Sequence, residues 1–195
     1  MNITHEIAGI DKDSQEFLKA FIKKHNCKKI LEVGMADGMS SIAILEALNG
    51  EGSLNQGYAS LTSIDPYQST YWSNNGLKNI KKLNLDKNHV FIEKFNYIAL
   101  PELLAKGEKY DLIFIDGSHI FDYVILDNFY ADLLLNIGGY LINDDMWMPA
   151  IKKAYSFIKN NYTHYEEIEK PKRFAPILKK KKHREYLGWD HFVSF

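Results

Sequence analysis

Along the first 160 residues, short runs of apolar and β-branched residues alternate with segments whose apolar positions recur at helical spacing. The runs predict buried strands, and the segments predict helices. The predicted strands are residues 28–34, 60–66, 89–95, 110–117 and 138–145. The predicted helices are residues 14–25, 40–49, 76–85, 100–106, 121–135 and 149–160. Ser40 or Asp37 is available to cap the second helix. Because strands alternate with helices through short turns, we expect a parallel sheet with helices on both faces.

The end of the chain breaks this alternation. Residues 165–169, 174–180 and 189–195 are strand-like with no helix between them, so the last strand pairing should be antiparallel. The predicted fold class is therefore α/β: a doubly wound, mostly parallel seven-stranded sheet with an antiparallel C-terminal strand. Residues 1–195 form one predicted domain, with an N-terminal helical segment at 1–27 and antiparallel strands within 162–195.

The composition is that of a globular domain. The chain has 195 residues, 46% of them hydrophobic and 25% charged, which excludes disordered and low-complexity proteins. The lone Cys27 excludes a disulfide framework or a cysteine-based zinc site, and it fits a reducing compartment. No apolar run approaches a membrane span, and the first residues lack the basic and apolar regions of a secretory signal. We therefore expect a cytoplasmic protein with no membrane partner.

Charge is distributed unevenly along the chain. Residues 151–195 carry 11 Lys and Arg against 5 Asp and Glu, whereas residues 1–150 carry 13 against 20. The basic end includes the run Lys-Lys-Lys-Lys-His-Arg at 179–184, which could bind nucleic acid or an anionic substrate. A solvated loop or strand edge explains the run as well, because it contains no interleaved glycine or aromatic residue. A nucleic-acid partner is therefore not expected, whereas assembly into a homo-oligomer stays open.

A glycine-containing turn, Glu-Val-Gly-Met-Ala-Asp-Gly at 32–38, follows the first predicted strand. A doubly wound sheet binds its nucleotide here, and Gly34 and Gly38 let backbone N–H groups approach a ligand. A dinucleotide-binding pattern would need glycine at 36 and 39, where this chain has alanine and methionine. This argues against pyrophosphate binding and against an NAD-type oxidoreductase. The flanking acids, Glu32 and Asp37, suit a cation or a ribose.

The second predicted strand ends in Asp65. A carboxylate at this point can accept hydrogen bonds from both ribose hydroxyls of a nucleoside. Asp65 followed by Pro66 is also a turn-forming dipeptide in its own right. Because Asp65 follows the glycine turn, the nucleoside-binding interpretation is preferred.

The sequence E-V-G-x-x-x-G after one strand, with an acid ending the next, resembles the S-adenosylmethionine-dependent methyltransferases of the Rossmann-like class. The resemblance covers nearly the whole chain. It implies that residues 34–38 line the methionine part of the cofactor and that Asp65 holds its ribose. Phe95 and Asn96 lie where such enzymes contact adenine, with Phe95 in place of the usual acid or small residue. The implied cofactor-binding residues are Glu32, Gly34, Met35, Ala36, Asp37, Gly38, Ser40, Asp65, Tyr67, Phe95, Asn96 and Asp116.

Acidic residues close two further strands. Asp116 follows the fourth predicted strand, and Asp144 and Asp145 end the fifth. Because neighbouring parallel strands end at one edge of the sheet, these carboxylates should converge, and unpaired they would repel one another. A hard cation such as Mg²⁺ would neutralise them. The alternative is a helix N-cap at Asp116 and a polar loop at the other two.

His119 lies three residues after Asp116, on the loop over the same edge. A neutral imidazole there can take a proton from a substrate hydroxyl, although a loop histidine often has no chemical role. The sequence I-D-G-S-H, a helix carrying Asp127, a G-G turn and then D-D are similar to the metal-dependent O-methyltransferases of macrolide-sugar and cephalosporin pathways. That resemblance implies Mg²⁺ on Asp116, Asp144 and Asp145, with His119 as the base.

This chain departs from those families at two of its acids. Several relatives have Glu at the position of Asp144, and the catechol and caffeoyl-CoA branches have Asn at the position of Asp145. Tyr67, Tyr71 and Trp72, which follow the second strand, could form an aromatic wall around cofactor or substrate, or could pack in the core.

The predicted function is methyl transfer from S-adenosylmethionine to a hydroxyl of a small molecule. Three alternatives stay open: an NAD-type oxidoreductase, a nucleic-acid methyltransferase and a non-catalytic cofactor-binding protein. The nucleic-acid alternative is disfavoured, because Asp-Gly-Ser-His follows the fourth strand in place of the Asn/Asp-Pro-Pro-aromatic motif of amino-directed enzymes.

Overall fold

The structure, a computed structural model, describes residues 8–49 and 59–184. Within these ranges the strands form a single seven-stranded sheet in the order β3-β2-β1-β4-β5-β7-β6. The strands are β1 (Lys29–Val33), β2 (Ser60–Ile64), β3 (His89–Ile92), β4 (Tyr110–Ile115), β5 (Leu135–Asn143), β6 (Tyr165–Glu169) and β7 (Ile177–Lys180). The first five are parallel, and β7 runs antiparallel to both β5 and β6. The predicted fold class is confirmed, and the strand predicted at 189–195 lies outside the described residues.

Six α-helices of the described chain cover both faces of the sheet. They are α1 (Lys12–His25), α2 (Met39–Leu48), α3 (Asn75–Lys82), α4 (Asn96–Ala105), α5 (Phe121–Leu134) and α6 (Pro149–Asn161). Helix α1 precedes β1, and the other five lie between successive strands. Adjacent residues of β1 show how the faces divide. Ile30 packs with the cluster that includes α1, α2 and α3, whereas Leu31 packs with α4, α5 and α6. Side chains of a strand alternate between faces, so a continuous apolar run on β1 serves two cores.

Several predicted element boundaries are wrong. Helix α4 begins at Asn96 and not at residue 100, which places Pro101 inside the helix. The first turn of α4 is held by Phe95, whose carbonyl accepts from the N–H groups of Ile98 and Ala99. Strand β5 begins at Leu135 and not at residue 138, because it pairs with β4 across an irregularity in register. The N-cap of α2 is Gly38, and neither Ser40 nor Asp37 caps it.

The last two described strands place part of the basic run in the interior. Lys180 is 3% exposed, and its ammonium lies 3.3 Å from Oδ1 of the buried Asp132. Its neighbour Lys179 lies over the ring of Tyr140. The start of the basic run therefore belongs to strand β7, where the charge of Lys180 is paired with that of Asp132. In the described part of the chain, no helix is both long enough and apolar enough to span a bilayer.

Candidate active site

The glycine turn joins the carboxyl ends of three strands. Gly34 donates to the carbonyl of Ile64 at 2.9 Å, and Asp116 donates to the carbonyl of Val33 at 2.8 Å. Gly34 has φ +91°, and a Cβ added there would lie 2.0 Å from the carbonyl oxygen of Asp116. Glycine is therefore required at 34, because the ends of β1 and β4 approach too closely for a side chain.

Glu32 and Ser40, both predicted to contact a cofactor, face each other beneath the turn. The Glu32 carboxylate is fully buried and accepts hydrogen bonds from the hydroxyls of Ser40, Ser41 and Ser63. Burial raises the pKa of Glu32, and the three hydroxyl donors oppose that rise. Neither Glu32 nor Ser40 lines the cavity described below. Both side chains fasten β1 to α2 and β2.

Asp65 braces the same turn from the end of β2. Its carboxylate accepts from the backbone N–H groups of Met35 (3.2 Å), Ala36 (2.9 Å) and Tyr67 (2.8 Å). It is 4% exposed and lines the cavity. The side-chain amide of Gln68 also donates to Oδ2, at 3.4 Å, so that oxygen is fully used. Oδ1 accepts only from Tyr67, and because each carboxylate oxygen has about two acceptor sites, it keeps capacity for a further donor. Asp37 has a different position: it is buried, and its side chain accepts from the N–H of Ala8 at 2.8 Å.

A cavity of about 360 Å³ opens at the carboxyl edge of the sheet. Eight of the predicted cofactor residues line it: Gly34, Met35, Ala36, Asp65, Tyr67, Phe95, Asn96 and Asp116. Four do not: Glu32, Asp37, Gly38 and Ser40. The lining residues that the sequence analysis did not assign to the cofactor or to the aromatic wall are Val33, Ile64, Pro66, Gly117, Ser118, Ile120 and Tyr123. Each of these lies at the end of a strand or in the segment that follows it. Their position relative to the predicted strand ends is the signal that could have identified them.

Aromatic side chains form one wall of the cavity. The ring of Phe95 meets the ring of Tyr67 edge-on at 5.6 Å and stacks on Tyr97 at 5.2 Å. Trp72 lines the cavity, whereas Tyr71 is 65% exposed and does not. The predicted aromatic wall therefore contains Tyr67 and Trp72 and gains Phe95. Flat apolar rings of this kind suit one face of a nucleobase.

Asn96 and Asp127 form a buried pair at the base of this wall. The Asn96 amide donates to Oδ1 of Asp127, and the other carboxylate oxygen has no hydrogen-bond partner in the described chain. Burial raises the pKa of Asp127 to about 7. Asn96 is thus held in place by a carboxyl group that is partly protonated near neutral pH.

Two of the three acids predicted to bind a metal, Asp116 and Asp145, lie together with His119. Asp116 and Asp145 each offer an oxygen, and His119 a ring nitrogen, that lie within 4.8 Å of one another. Asp144 adjoins them through the backbone bond from its N–H to the carbonyl of Ile115 at 2.9 Å. Asp145 has φ +53°, a left-handed conformation that turns its carboxylate back over the edge of the sheet.

Asp145 and His119 form a hydrogen-bonded pair. The Nε2 atom of His119 lies 2.8 Å from Oδ2 of Asp145, whose other oxygen accepts from the indole of Trp147 at 2.8 Å. The hydrogen bond with His119 holds the pKa of Asp145 below its usual value, and the bond with Asp145 raises the pKa of His119. The imidazole is 40% exposed, so a substrate can reach it.

Asp116 has the opposite electrostatic environment. Burial, and then the charges of Asp144 and Asp145, raise its pKa well above the ordinary value. No hydrogen bond to its carboxylate is present among the described residues. A half-buried acid with no donor beside two other carboxylates fits the donor set of a divalent cation, which prefers oxygen ligands.

Arg173 is a functional candidate that sequence reasoning missed. Its Nε lies 3.1 Å from Oδ1 of Asp144, and Nη2 lies 3.3 Å from Oδ2 of the same residue. In the sequence Arg173 is one cation of a basic tail, 29 residues beyond Asp144. Only the insertion of β7 beside β5 brings it to the acidic edge, and strand order is not readable from the local pattern.

The fold and the site define a methyltransferase of the Rossmann-like class. The sheet carries a glycine turn after β1, an acid at the end of β2 and acids at the ends of β4 and β5. The family model for methyltransferase domains matches residues 31–146. That range is more than half of the chain, and the chain belongs to this family. The predicted methyltransferase resemblance is confirmed.

Curated relatives carry methyltransferase names. The chain is 28% identical over 162 residues to tapetum-specific methyltransferase 1 of Arabidopsis thaliana, covering 82% of this chain and 64% of the relative. It is 28% identical over 146 residues to caffeoyl-CoA O-methyltransferase of Populus kitakamiensis, covering 72% and 57%. The chain thus spans less than two thirds of the length of either relative.

Solved structures share the fold. An O-methyltransferase from Bacillus cereus in complex with SAH has a TM-score of 0.70 and 17% identity, over 87% of this chain and 80% of that one. The O-methyltransferase TomG from Streptomyces achromogenes, in complex with SAM, has a TM-score of 0.71 and 14% identity, over 91% and 83%. The TM-scores show a common architecture, and at identities this low they show nothing further.

Proposed function

We propose that this chain transfers a methyl group from S-adenosylmethionine to a hydroxyl oxygen of a small molecule. One observation carries the proposal: a single cavity reaches from the Gly34 turn and Asp65 to Asp116 and Ser118, beside the His119–Asp145 pair. A cofactor bound along the turn would therefore end next to a histidine able to take a proton. The O-methyltransferase names of one curated relative and of two structural neighbours support the same reaction.

The cofactor would be held by the backbone of the glycine turn and by side chains around it. The turn at 34–36 lines the cavity and would contact the amino-acid part, Asp65 would accept from the ribose hydroxyls, and Phe95 would cover the adenine. Asn96, fixed by Asp127, would present its amide to the same base. Tight positioning matters because methyl transfer is an in-line displacement, in which holding the two reactants aligned lowers the barrier.

His119 would act as the general base. If its Nε2–H donates to Asp145, its Nδ1 is the basic nitrogen that accepts the substrate's hydroxyl proton. The substrate oxygen then forms a bond to the methyl carbon while the carbon–sulfur bond breaks, and the sulfonium becomes a neutral thioether. Charge is balanced because the proton stays on His119, and Asp145 stabilises the resulting imidazolium.

Asp116, Asp144 and Asp145 would hold Mg²⁺. A bound divalent cation would lower the pKa of a coordinated hydroxyl and orient it. The half-exposed apolar side chains of Ile120 and Trp147, which are 62% and 64% exposed, adjoin this edge and offer a surface to the substrate's carbon skeleton.

Calorimetric titration and a labelled-methyl assay test the proposal. S-adenosylhomocysteine should bind and NADH should not. Asp65→Ala should weaken binding by roughly 1–3 kcal/mol, since it removes a charged acceptor, whereas Asp86→Ala on an exposed 3₁₀ turn should not. With methyl-labelled cofactor and a mixture of hydroxylated metabolites, mass spectrometry should find label on oxygen. Absence of S-adenosylhomocysteine binding at millimolar concentration would refute the proposal.

A further inference from the structure

Arg173 lies on the connection between β6 and β7 and is fixed by its neighbours. Phe174 is 2% exposed and packs against the rings of Phe17 and Phe114. Ala175 donates to the carbonyl of Asn143 at 2.8 Å, which ties the connection to the end of β5. These contacts hold the backbone at 173 beside the acidic edge formed by Asp116, Asp144 and Asp145, whereas the long Arg173 side chain can change its rotamer.

The guanidinium occupies oxygens that a metal ion would need. It contacts both carboxylate oxygens of Asp144, at 3.1 and 3.3 Å, and lies 3.5 Å from Oδ1 of Asp145. A further contact at 3.5 Å reaches Oδ2 of Asp11, the N-cap of α1. Asp144 is buried, with a side chain 1% exposed, so little water competes for these oxygens. Two-pronged pairing of this kind is the strong geometry for arginine and carboxylate.

We propose that Arg173 is a built-in counter-ion of the acidic edge, which a divalent cation must displace from Asp144 in order to bind. This inference rests on the proposed function, because it concerns the metal that Asp116, Asp144 and Asp145 would hold. Arg173 then acts as a positioning residue that sets the metal affinity: it satisfies the buried acids in the metal-free protein and competes with the cation for Asp144.

An opposite role for Arg173 makes the opposite prediction. If the guanidinium only braced Asp144 in a ligating geometry, its removal would misplace a ligand and weaken metal binding. If it competes, its removal strengthens metal binding and leaves the metal-free protein less stable, because a buried carboxylate loses its partner. The sign of the change in affinity therefore separates the two roles.

Calorimetric titration of Mg²⁺ into the full chain measures that sign. Arg173→Gln should bind Mg²⁺ roughly ten-fold more tightly than wild type, as expected for losing one competing charge-assisted interaction. The Mg²⁺ affinity of Arg173→Lys should lie between those of wild type and Arg173→Gln, because an ammonium keeps the positive charge but cannot pair with both carboxylate oxygens as a guanidinium does. Lys172→Gln is the matched control: it removes a neighbouring exposed cation that forms no ion pair with the acids among the described residues, and it should change the Mg²⁺ affinity less than about two-fold.

Nuclear magnetic resonance gives a second readout, made on the wild-type protein. The chain has two arginines, Arg173 and Arg184, so two Nε–H signals are expected and Arg173→Gln assigns them. Added Mg²⁺ should shift the Arg173 signal and leave that of Arg184, which lies beside Asp132, unchanged.

Two results would overturn the inference. One is unchanged or weaker Mg²⁺ binding in Arg173→Gln, including the case in which no variant binds Mg²⁺. The other is an Arg173 Nε–H signal that does not move when wild type is saturated. Cofactor binding and labelled-methyl transfer are measured separately, so failure here is distinguishable from failure of the proposed reaction.

Discussion

The Nε2 atom of His119 lies 2.8 Å from Oδ2 of Asp145, a contact that joins the loop after β4 to the end of β5. The aspartate raises the pKa of the imidazole above its ordinary value of 6.5. It also fixes which ring nitrogen carries the proton. Two of the acids at this edge thus have different environments, since Asp145 is paired with a base and Asp116 is half-buried without a donor.

This pairing predicts a pH dependence of turnover. A general base works when deprotonated, so the rate should rise with pH, and because the pKa of His119 is raised the midpoint should lie above about 6.5. His119→Ala should lower kcat by roughly 10²–10⁴ and remove that step, while the affinity for S-adenosylhomocysteine is kept. A pH–rate profile of both proteins checks this, and a fully active His119→Ala enzyme would assign the base elsewhere.

Asp127 predicts a pH dependence of stability. Its pKa is raised by burial to about 7 in the folded protein, against about 3.9 for an unfolded aspartate. As pH rises, the unfolded carboxyl loses its proton first, so stability falls between about pH 4 and pH 7 and stays low above that window. Asp127→Asn keeps the acceptor for Asn96 and cannot ionise.

The free energy of unfolding of Asp127→Asn should therefore exceed that of wild type by roughly 1–3 kcal/mol at pH 8, and the two should be equal near pH 4. Urea unfolding at the two pH values measures the difference. Asp122→Asn, at an exposed position of the same helix, serves as the control and should show no such divergence. Parallel stability curves for Asp127→Asn and wild type would show that Asp127 ionises normally.

Local patterns were sufficient to predict the strand ends and the residues that follow them. Gly34, Asp65 and Asp116 each end or follow a predicted strand, and parallel strands bring such ends together whatever the details of packing. The motif position of Glu32 did not reveal its side-chain direction, and Glu32 does not line the cavity. Alternation along β1 sends it to the face of Ile30, where the serines of α2 meet it.

Features that depend on strand order were not predictable in this way. The missing helix between 165–169 and 174–180 predicted an antiparallel end of the sheet. It did not predict that β7 inserts between β5 and β6. That insertion places Arg173 at Asp144 and Lys180 at Asp132. Both pairings join segments that are distant in sequence, so no local spacing indicates them.

Gly34 predicts a severe steric effect. Alanine at 34 would place its Cβ 2.0 Å from the backbone oxygen of Asp116 and would keep φ at +91°. The ends of β1 and β4 would have to separate, at a cost we expect to exceed about 3 kcal/mol. Gly107→Ala is the matched control, since φ there is +74° with no atom within 4 Å, and strain alone should cost roughly 1–2 kcal/mol.

Urea unfolding and S-adenosylhomocysteine titration separate the two glycine variants. Gly34→Ala should lose both stability and binding, whereas Gly107→Ala should bind normally. Equal losses of stability in the two would mean that backbone strain, and not the contact with Asp116, determines the requirement for glycine at 34.

The last prediction concerns a buried ion cluster far from the active site. Oδ1 of Asp132 lies 2.8 Å from His164 Nε2 and 3.3 Å from Lys180 Nζ, and Oδ2 lies 3.0 Å from Arg184 Nη2. Burial by itself would raise the pKa of Asp132, but the hydrogen bond from His164 and the charges of Lys180 and Arg184 hold it below its ordinary value. The cluster joins the end of α5 to β6 and β7.

A lowered pKa means that Asp132 adds stability above its unfolded pKa, and that this contribution is lost as pH falls through the folded value. Asp132→Asn leaves the buried Lys180 without its counter-charge and should cost roughly 3–5 kcal/mol at pH 7, measured by urea unfolding. The deficit should shrink as pH falls below about 3.9, the unfolded value, because the unfolded wild type then takes up a proton before the folded protein does. Asp86→Asn, exposed and outside the cluster, should change stability by less than about 0.5 kcal/mol. A deficit that does not change with pH would show that Asp132 contributes through packing and not through its charge.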